Sequence, residues 1–230
     1  DADNDVLNIE LTNYIGSIFS EDGLTIQSLG NNEYKLTITP KADAFGMIDA
    51  LLTISDGKID ITQLIKINVN SVNDLPKAND DIYSINEDTI TNIAVLENDS
   101  DVEDLLSQIR IIGVGTSTLG SSITTNSDGT LRYIPRENVF GKDVFTYTIS
   151  DRNNGRSSAT VRVTLVPVND APKAVNDSIS TYEDTPVEID VLANDSDVEN
   201  SNLTIVSMSG STLSESLQIL NGKLYYVPKE

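Results

Sequence analysis

Residues 143–165 read Asp-Val-Phe-Thr-Tyr-Thr-Ile-Ser-Asp-Arg-Asn-Asn-Gly-Arg-Ser-Ser-Ala-Thr-Val-Arg-Val-Thr-Leu. Phe145, Tyr147 and Ile149 alternate with Thr146 and Thr148, and Ala159, Val161, Val163 and Leu165 alternate with Thr160, Arg162 and Thr164. A period of two puts successive side chains on opposite faces, so each run is a strand with one buried face. Between them, Asp151-Arg152-Asn153-Asn154-Gly155 has the composition of a hairpin loop. Upstream, shorter strands are expected near 81–85, 90–96, 107–114, 119–125 and 130–134, with a turn at Asp128-Gly129. No stretch sustains the 3.6-residue period of a helix, and a single short turn of helix is expected near Glu137 to Gly141. The tally predicts an all-β fold with seven strands in this segment.

The same text recurs. Val72-Asn73-Asp74-Leu75-Pro76-Lys77-Ala78 returns 96 residues later as Val168-Asn169-Asp170-Ala171-Pro172-Lys173-Ala174. That offset also carries Glu87-Asp88-Thr89 onto Glu183-Asp184-Thr185, and Asn98-Asp99-Ser100-Asp101-Val102-Glu103 onto Asn194-Asp195-Ser196-Asp197-Val198-Glu199. An offset of 95 links Pro40, Phe45-Gly46 and Ile54-Ser55-Asp56 to Pro135, Phe140-Gly141 and Ile149-Ser150-Asp151. Fixed-period self-similarity marks a modular array. Its phase predicts the C-terminal part of one module at 1–75, a complete module at 76–171 and the N-terminal part of a third at 172–230, as in a piece of a longer array.

Seven strands in this order fit a Greek-key sandwich of the immunoglobulin-like or cadherin-like kind. Alternate loops then fall at alternate ends. Asn73 and Asp74 share one pole with Asp99, Asp101, Glu103 and Asp151, while Glu87 and Asp88 share the other with Glu137, Asn138, Asn169 and Asp170. Tyr133, Phe140, Phe145 and Tyr147 are expected in the core, and of the adjacent Tyr225 and Tyr226 only one can face inward.

The acids of the 230-residue chain outnumber its Lys and Arg by 36 to 15, a net charge of −21, and His and Cys are absent. Such a surface repels nucleic acid and anionic lipid, which argues against both as partners. The lack of Cys removes disulfides and thiolate metal sites, and with no His the usual catalytic base is missing too, so an enzyme is not expected. Cations are the natural counterpart of this surface. Calcium takes six to eight oxygen ligands, more than one loop supplies, and two sets of repeated acids at the sandwich poles provide them. Around the first linker the candidates are Asn73, Asp74, Asp99, Asp101 and Asp151, with Asp43 as a further one; around the second they are Glu87, Asn169, Asp170, Asp195 and Asp197, with Glu137 as a further one. Asp1-Ala2-Asp3-Asn4-Asp5 lacks the Gly and Glu of an EF-hand loop, having Val6 and Thr12 there, and reads as the counterpart of 99–103.

The combination of Val-Asn-Asp-x-Pro, Glu-Asp-Thr, Asn-Asp-Ser-Asp-Val-Glu, Asp-Gly-Thr-Leu-x-Tyr-x-Pro and Phe-x-Tyr-x-Ile-Ser-Asp resembles the cadherin-like tandem repeats of large bacterial surface adhesins, often type I-secreted and grouped with RTX proteins. That resemblance implies an extracellular, calcium-binding stalk on the bacterial cell surface. Neighbouring repeats of the same chain would be its contacts, with no direct membrane contact, and a distal adhesive domain would lie elsewhere in the chain. The Leu-Asp-Arg-Glu segment of cadherins is replaced by Ile134-Pro135-Arg136-Glu137-Asn138. A different expectation is a sandwich whose loops or strands bind a glycan or a protein, which an exposed aromatic patch would favour.

Overall fold

A computed structural model describes residues 7–12, 16, 18–31, 33–199, 201–210 and 213–229. Residues 1–6, with the acidic run at 1–5, lie outside them. Fifteen strands follow one another among the described residues: β1 (Asn8–Thr12), β2 (Leu24–Gly30), β3 (Glu33–Ile38), β4 (Gly46–Ser55), β5 (Asp60–Val69), β6 (Asp81–Asn86), β7 (Thr91–Ile93), β8 (Arg110–Val114), β9 (Ser122–Thr125), β10 (Leu131–Ile134), β11 (Gly141–Ser150), β12 (Arg156–Val166), β13 (Val187–Ile189), β14 (Ser214–Leu220) and β15 (Lys223–Pro228). Among the described residues, helix is confined to single 3-10 turns at Glu21–Gly23 and Leu106–Gln108. The turn expected near 137–141 is not helical: Asn138 and Gly141 both take positive φ, 57° and 117°, which ends any helical run there. The fold is all-β.

Strands β6 to β12 are the seven expected between the linkers. They form two sheets, β7-β10-β9 and β6-β12-β11-β8, with β6 running parallel to β12 and the other pairs antiparallel. The parallel pair sets Asp81 opposite Val161, Tyr83 opposite Val163 and Ile85 opposite Leu165. Upstream, the sheet β1-β4-β5 repeats the order β8-β11-β12, and downstream β13-β15-β14 repeats β7-β10-β9. The upstream segment adds the hairpin β2-β3, the counterpart of β9-β10, while the downstream segment displays only the β7-β10-β9 type of sheet among the described residues.

The chain divides into two compact units, and β11 and β12 run through both. The first unit extends to Asn79 and adds Ala94–Val114 and Tyr147–Ala159. Its upstream core is Ile18, Phe19, Leu24, Ala50 and Ile67, with Leu11, Leu36, Ala44, Ile48, Ile65 and Val69 packed on it. The second unit comprises Asp80–Ile93, Gly115–Thr146 and the chain from Thr160 onward. Here Ile85, Ile93, Leu131, Tyr133, Phe145, Val161, Val163 and Leu165 are buried, and the rings of Tyr133 and Phe145 stack at 6.0 Å with 20° between planes.

Tyr133, Phe145 and Tyr147 occupy the core as expected, but Phe140 is 42% exposed, because it sits in the loop ahead of Gly141 and not on a strand. Tyr225 and Tyr226 are both half-buried. The sheet β13-β15-β14 has no second sheet over it among the described residues, so neither ring is enclosed.

Candidate functional site

Two acidic clusters are built from repeat-equivalent residues, one wholly inside each unit. In the first, the backbone N–H of Asp74 donates to Glu103 Oε2 at 3.0 Å. In the second, the N–H of Asp170 donates to Glu199 Oε2 at 3.1 Å. The side-chain amides of Asn73 and Asn169 bend back to the carbonyls of Asp74 and Asp170, at 2.7 and 2.8 Å. A one-residue bridge fixes each linker against its acidic loop: Lys77 N–H donates to Ser100 O at 2.7 Å, and Lys173 N–H to Ser196 O at 2.8 Å, with the reciprocal bonds both at 3.1 Å. Linker and loop are thereby held in one geometry at both places.

The two aspartates of each Asp-x-Asp turn opposite ways. Asp101 Oδ1 accepts the N–H groups of Glu103 and Asp104, both at 2.8 Å, while its Oδ2 is buried and has no hydrogen-bond partner. Its counterpart Asp197 accepts the N–H groups of Glu199 and Ser201, both at 3.1 Å. Asp99 points to the other side, where Tyr147 donates its hydroxyl at 3.0 Å and Asn79 donates its N–H to Oδ1 at 2.8 Å. Burial pushes the Asp99 carboxyl upward, against the opposing pull of those two donors. Asp195 likewise accepts Val175 N–H at 2.8 Å.

Asp151 organises its own hairpin. Fully buried, it accepts the N–H groups of Asn153 and Gly155 on Oδ1, at 2.8 and 2.7 Å, and the Asn73 side chain on Oδ2 at 2.9 Å. Asn73 Oδ1 in turn accepts the Asn153 side-chain amide. Gly155 is required by this packing: a Cβ there would collide with the Asp151 carboxylate and meet Leu75 Cδ2 at 3.0 Å. Beside it, Asp104 holds Arg152 through the backbone N–H, Nε and guanidinium, and these bonds keep its carboxyl low.

The second cluster gathers carboxylates most tightly. Oxygens of Glu87, Asp170 and Glu199 lie within 4.8 Å of one another. Glu87 is 1% exposed; its Oε1 accepts Val168 N–H at 3.0 Å. Glu87 Oε2, Asp170 Oδ2 and Glu199 Oε1 are buried and have no hydrogen-bond partner. Burial, then the charges of Glu199, Asp88 and Asp197, push the Asp170 carboxyl up. Asp88, at φ 57°, receives the N–H of Asn138 at 2.9 Å. Among the candidate residues, then, Glu87 and Asp170 meet directly, Asp197 and Asn169 shape the surrounding loop, and Asp195 faces away into its own turn. Neither Glu137 nor Asp43 belongs to the group of three. Glu199 was not among the candidates, although the repetition of Glu103 at 199 was visible.

Buried carboxylate oxygens without hydrogen bonds cost free energy, and like charges this close repel. An all-oxygen donor set with no nitrogen or sulfur suits a hard cation such as calcium. Glu87, Asp170 and Glu199 would hold it at the second cluster, and Asp101 and Glu103 at the first.

Fold and loops together define a protein of the immunoglobulin-like and cadherin-like β-sandwich class. The chain belongs to the bacterial Ig domain family, whose sequence model matches residues 73–164 and 169–230. Among solved structures it is similar to the cis-dimer of protocadherin gammaB7 EC3-6, with a TM-score of 0.56 and 16% identity over 96% of this chain and 58% of that one. The protocadherin gammaB4 extracellular domain is similar too, with a TM-score of 0.57 and 14% identity over 96% of this chain and 39% of that one. At such identities the likeness is one of fold. Among curated proteins, Protein GAMETE EXPRESSED 2 of Arabidopsis thaliana is 35% identical over 97 residues, which are 42% of this chain and 10% of that protein. Domains of this family and fold are typical of extracellular surface proteins and are generally non-enzymatic. No helix among the described residues is long and apolar enough to cross a membrane.

Proposed function

We propose that the chain is a calcium-rigidified, non-enzymatic spacer from the stalk of a bacterial cell-surface adhesin, with the C-terminal part of one repeat at 1–75, a complete repeat at 76–171 and the N-terminal part of a third at 172–230. One observation carries this reading: the convergence of Glu87, Asp170 and Glu199, with a buried, partnerless oxygen on each. Without a cation the three charges oppose the fold of their loops. With one, they bind linker 168–172 to the loops at 87–88 and 195–199, and the same logic applies to Asp74, Asp101 and Glu103. Free calcium about tenfold above Kd adds about 1.4 kcal/mol per site.

The spacer's contacts would be neighbouring repeats, and its purpose would be to hold a distal adhesive domain away from the cell. A glycan- or protein-binding face draws no support from the aromatic side chains. Those exposed among the described residues are Phe45, Phe140 and Tyr182, each on a different loop or segment.

Calorimetric titration of calcium into chelator-stripped protein, paired with small-angle scattering of both states, tests the proposal. Binding accompanied by a longer, stiffer particle supports it. Absence of binding, or binding with unchanged scattering, refutes it.

A further inference from the structure

Asn154-Gly155 lies in the loop between β11 and β12, and Asn221-Gly222 forms the turn between β14 and β15. In an Asn-Gly pair the main chain can attack the side chain. The peptide nitrogen after Asn gives up its proton and bonds to the side-chain Cγ. The bond from Cγ to Nδ2 breaks, ammonia leaves, and a five-membered succinimide remains. Water then opens either carbonyl of the ring, leaving aspartate or isoaspartate. No oxidant, metal or enzyme takes part, and glycine, lacking a Cβ, crowds the attacking nitrogen least.

Both asparagines are exposed and left-handed, with φ 68° at Asn154 and 51° at Asn221. In that conformation the following nitrogen points away from Cβ, so the turn must open before the ring can close. What holds each turn therefore sets the rate.

The two turns are held differently. Asp151 Oδ1 accepts Gly155 N–H at 2.7 Å, the nitrogen that would have to attack, and Asn153 N–H at 2.8 Å. Asp151 N–H donates in turn to Gly155 O at 3.2 Å. The carboxylate is fully buried, and the Asn73 side chain steadies its Oδ2 at 2.9 Å. At the other pair, Leu220 opposite Lys223 closes a two-residue turn. Gly222 is exposed, has open space where a Cβ would point, and among the described residues no hydrogen bond holds its N–H. The tip of the equivalent turn in the complete repeat, Ser127 and Asp128, is exposed as well, so the exposure belongs to the turn itself.

We infer that this chain deamidates first at Asn221, and that Asn154 is a second modification site which Asp151 keeps closed. Isoaspartate at 154 would lengthen the main chain by a methylene and carry Gly155 off the Asp151 carboxylate, loosening the hold of Asp151 on Asn73 and the linker. Asp151 thus guards the fastening of linker and hairpin against a reaction encoded in the hairpin's own sequence. No part of this inference needs a cation.

The test incubates the folded chain in warm, mildly alkaline buffer, with parallel samples in denaturing urea to give each pair's rate without a fold. Peptide mapping by mass spectrometry reads the replacement of the amide by a carboxyl and separates aspartate from isoaspartate. In urea the two pairs should convert alike; in the folded chain Asn221 should convert about tenfold faster than Asn154, or more. Asp151→Ala should speed Asn154 about tenfold and leave Asn221 unchanged. Asn73→Ala, which removes the amide steadying Oδ2, should speed Asn154 by less. Equal conversion of Asn154 and Asn221 in the folded parent overturns the inference. So does an unchanged Asn154 rate in Asp151→Ala when the amides of β11 still exchange slowly. Should that variant lose the protection of β11, Asn73→Ala carries the test, and an Asn154 rate equal to the parent's overturns the guarding role.

Discussion

Asp170 and Glu199 are joined by a 3.1 Å hydrogen bond from the backbone N–H of one to Oε2 of the other, yet each keeps a carboxylate oxygen that is buried and partnerless. The main chain draws the two acids together, and nothing among the described residues neutralises what it has gathered. The arrangement is locally well bonded and electrostatically opposed, which is what the calcium proposal rests on.

The response can be separated from the fold with Asp170→Asn. Burial and the charges of Glu199, Asp88 and Asp197 raise the Asp170 carboxyl, so the folded chain holds its proton more tightly than the unfolded chain does. Its contribution to stability is therefore greatest below the ordinary aspartate value of ~3.9 and is lost as pH rises through the raised folded value. In chelator at pH 7 the variant should melt above the parent, with the gap closing by pH 4. In calcium the order should reverse, because a ligand is missing. Thermal melts in both conditions check this.

Tyr147 is the next test. Its hydroxyl reaches Asp99, Asn79 O and Val95 O, all at 3.0 Å, from a fully buried ring. Tyr147→Phe preserves the ring and leaves Asp99 under-satisfied, which should cost about 1–3 kcal/mol in urea denaturation. Because Asp99 anchors the loop carrying Asp101 and Glu103, calcium affinity at the first cluster should fall while the second is unchanged.

These residues also mark where the sequence stopped being readable. The alternation of Phe145, Tyr147 and Ile149 announced a strand with one buried face, because the pleat imposes a period of two whatever the surroundings. Repetition announced the acidic loops for a similar reason. Direction within a loop has no such period: Asp99 and Asp101 are two residues apart in a turn, and the Asn79 N–H and the Tyr147 hydroxyl together decide that one faces the core. Phe140 looked apolar enough for the core, but a loop position overrode its composition. Glu199 was legible as a repeat of Glu103; its meeting with Glu87 depends on pairings across more than a hundred residues. Pairing also hid Asp143, which reads as an ordinary acid at a strand start.

Gly155→Ala probes the first hairpin. A methyl group there would press on the Asp151 carboxylate and on Leu75, within 3.0 Å of the latter. The expected loss is about 1–3 kcal/mol, with Asn73 released from Asp151. Amide exchange at Asn153 and Gly155, whose N–H groups Asp151 now accepts, should accelerate.

Asp143 offers a test unconnected with any cation. It is wholly buried and accepts the hydroxyls of Ser117 at 2.6 Å, Tyr133 at 2.6 Å, Ser121 at 2.8 Å and Thr118 at 2.9 Å, with Leu119 N–H at 3.0 Å. Burial alone would raise its carboxyl, but the donors outweigh it and hold the group at about 2. Tyr133 is pushed the other way, by burial and then by the carboxylate it serves. A depressed carboxyl stabilises the fold fully above the ~3.9 of an unfolded chain and loses that contribution as pH falls toward 2. Asp143→Asn should therefore cost about 2–3 kcal/mol at pH 7, the worth of hydrogen bonds to a charge, and progressively less between pH 4 and pH 2. Urea denaturation across that range measures it. A penalty that stays constant with pH would mean the carboxylate's shape, and not its charge, holds the loop at 117–121 to β11.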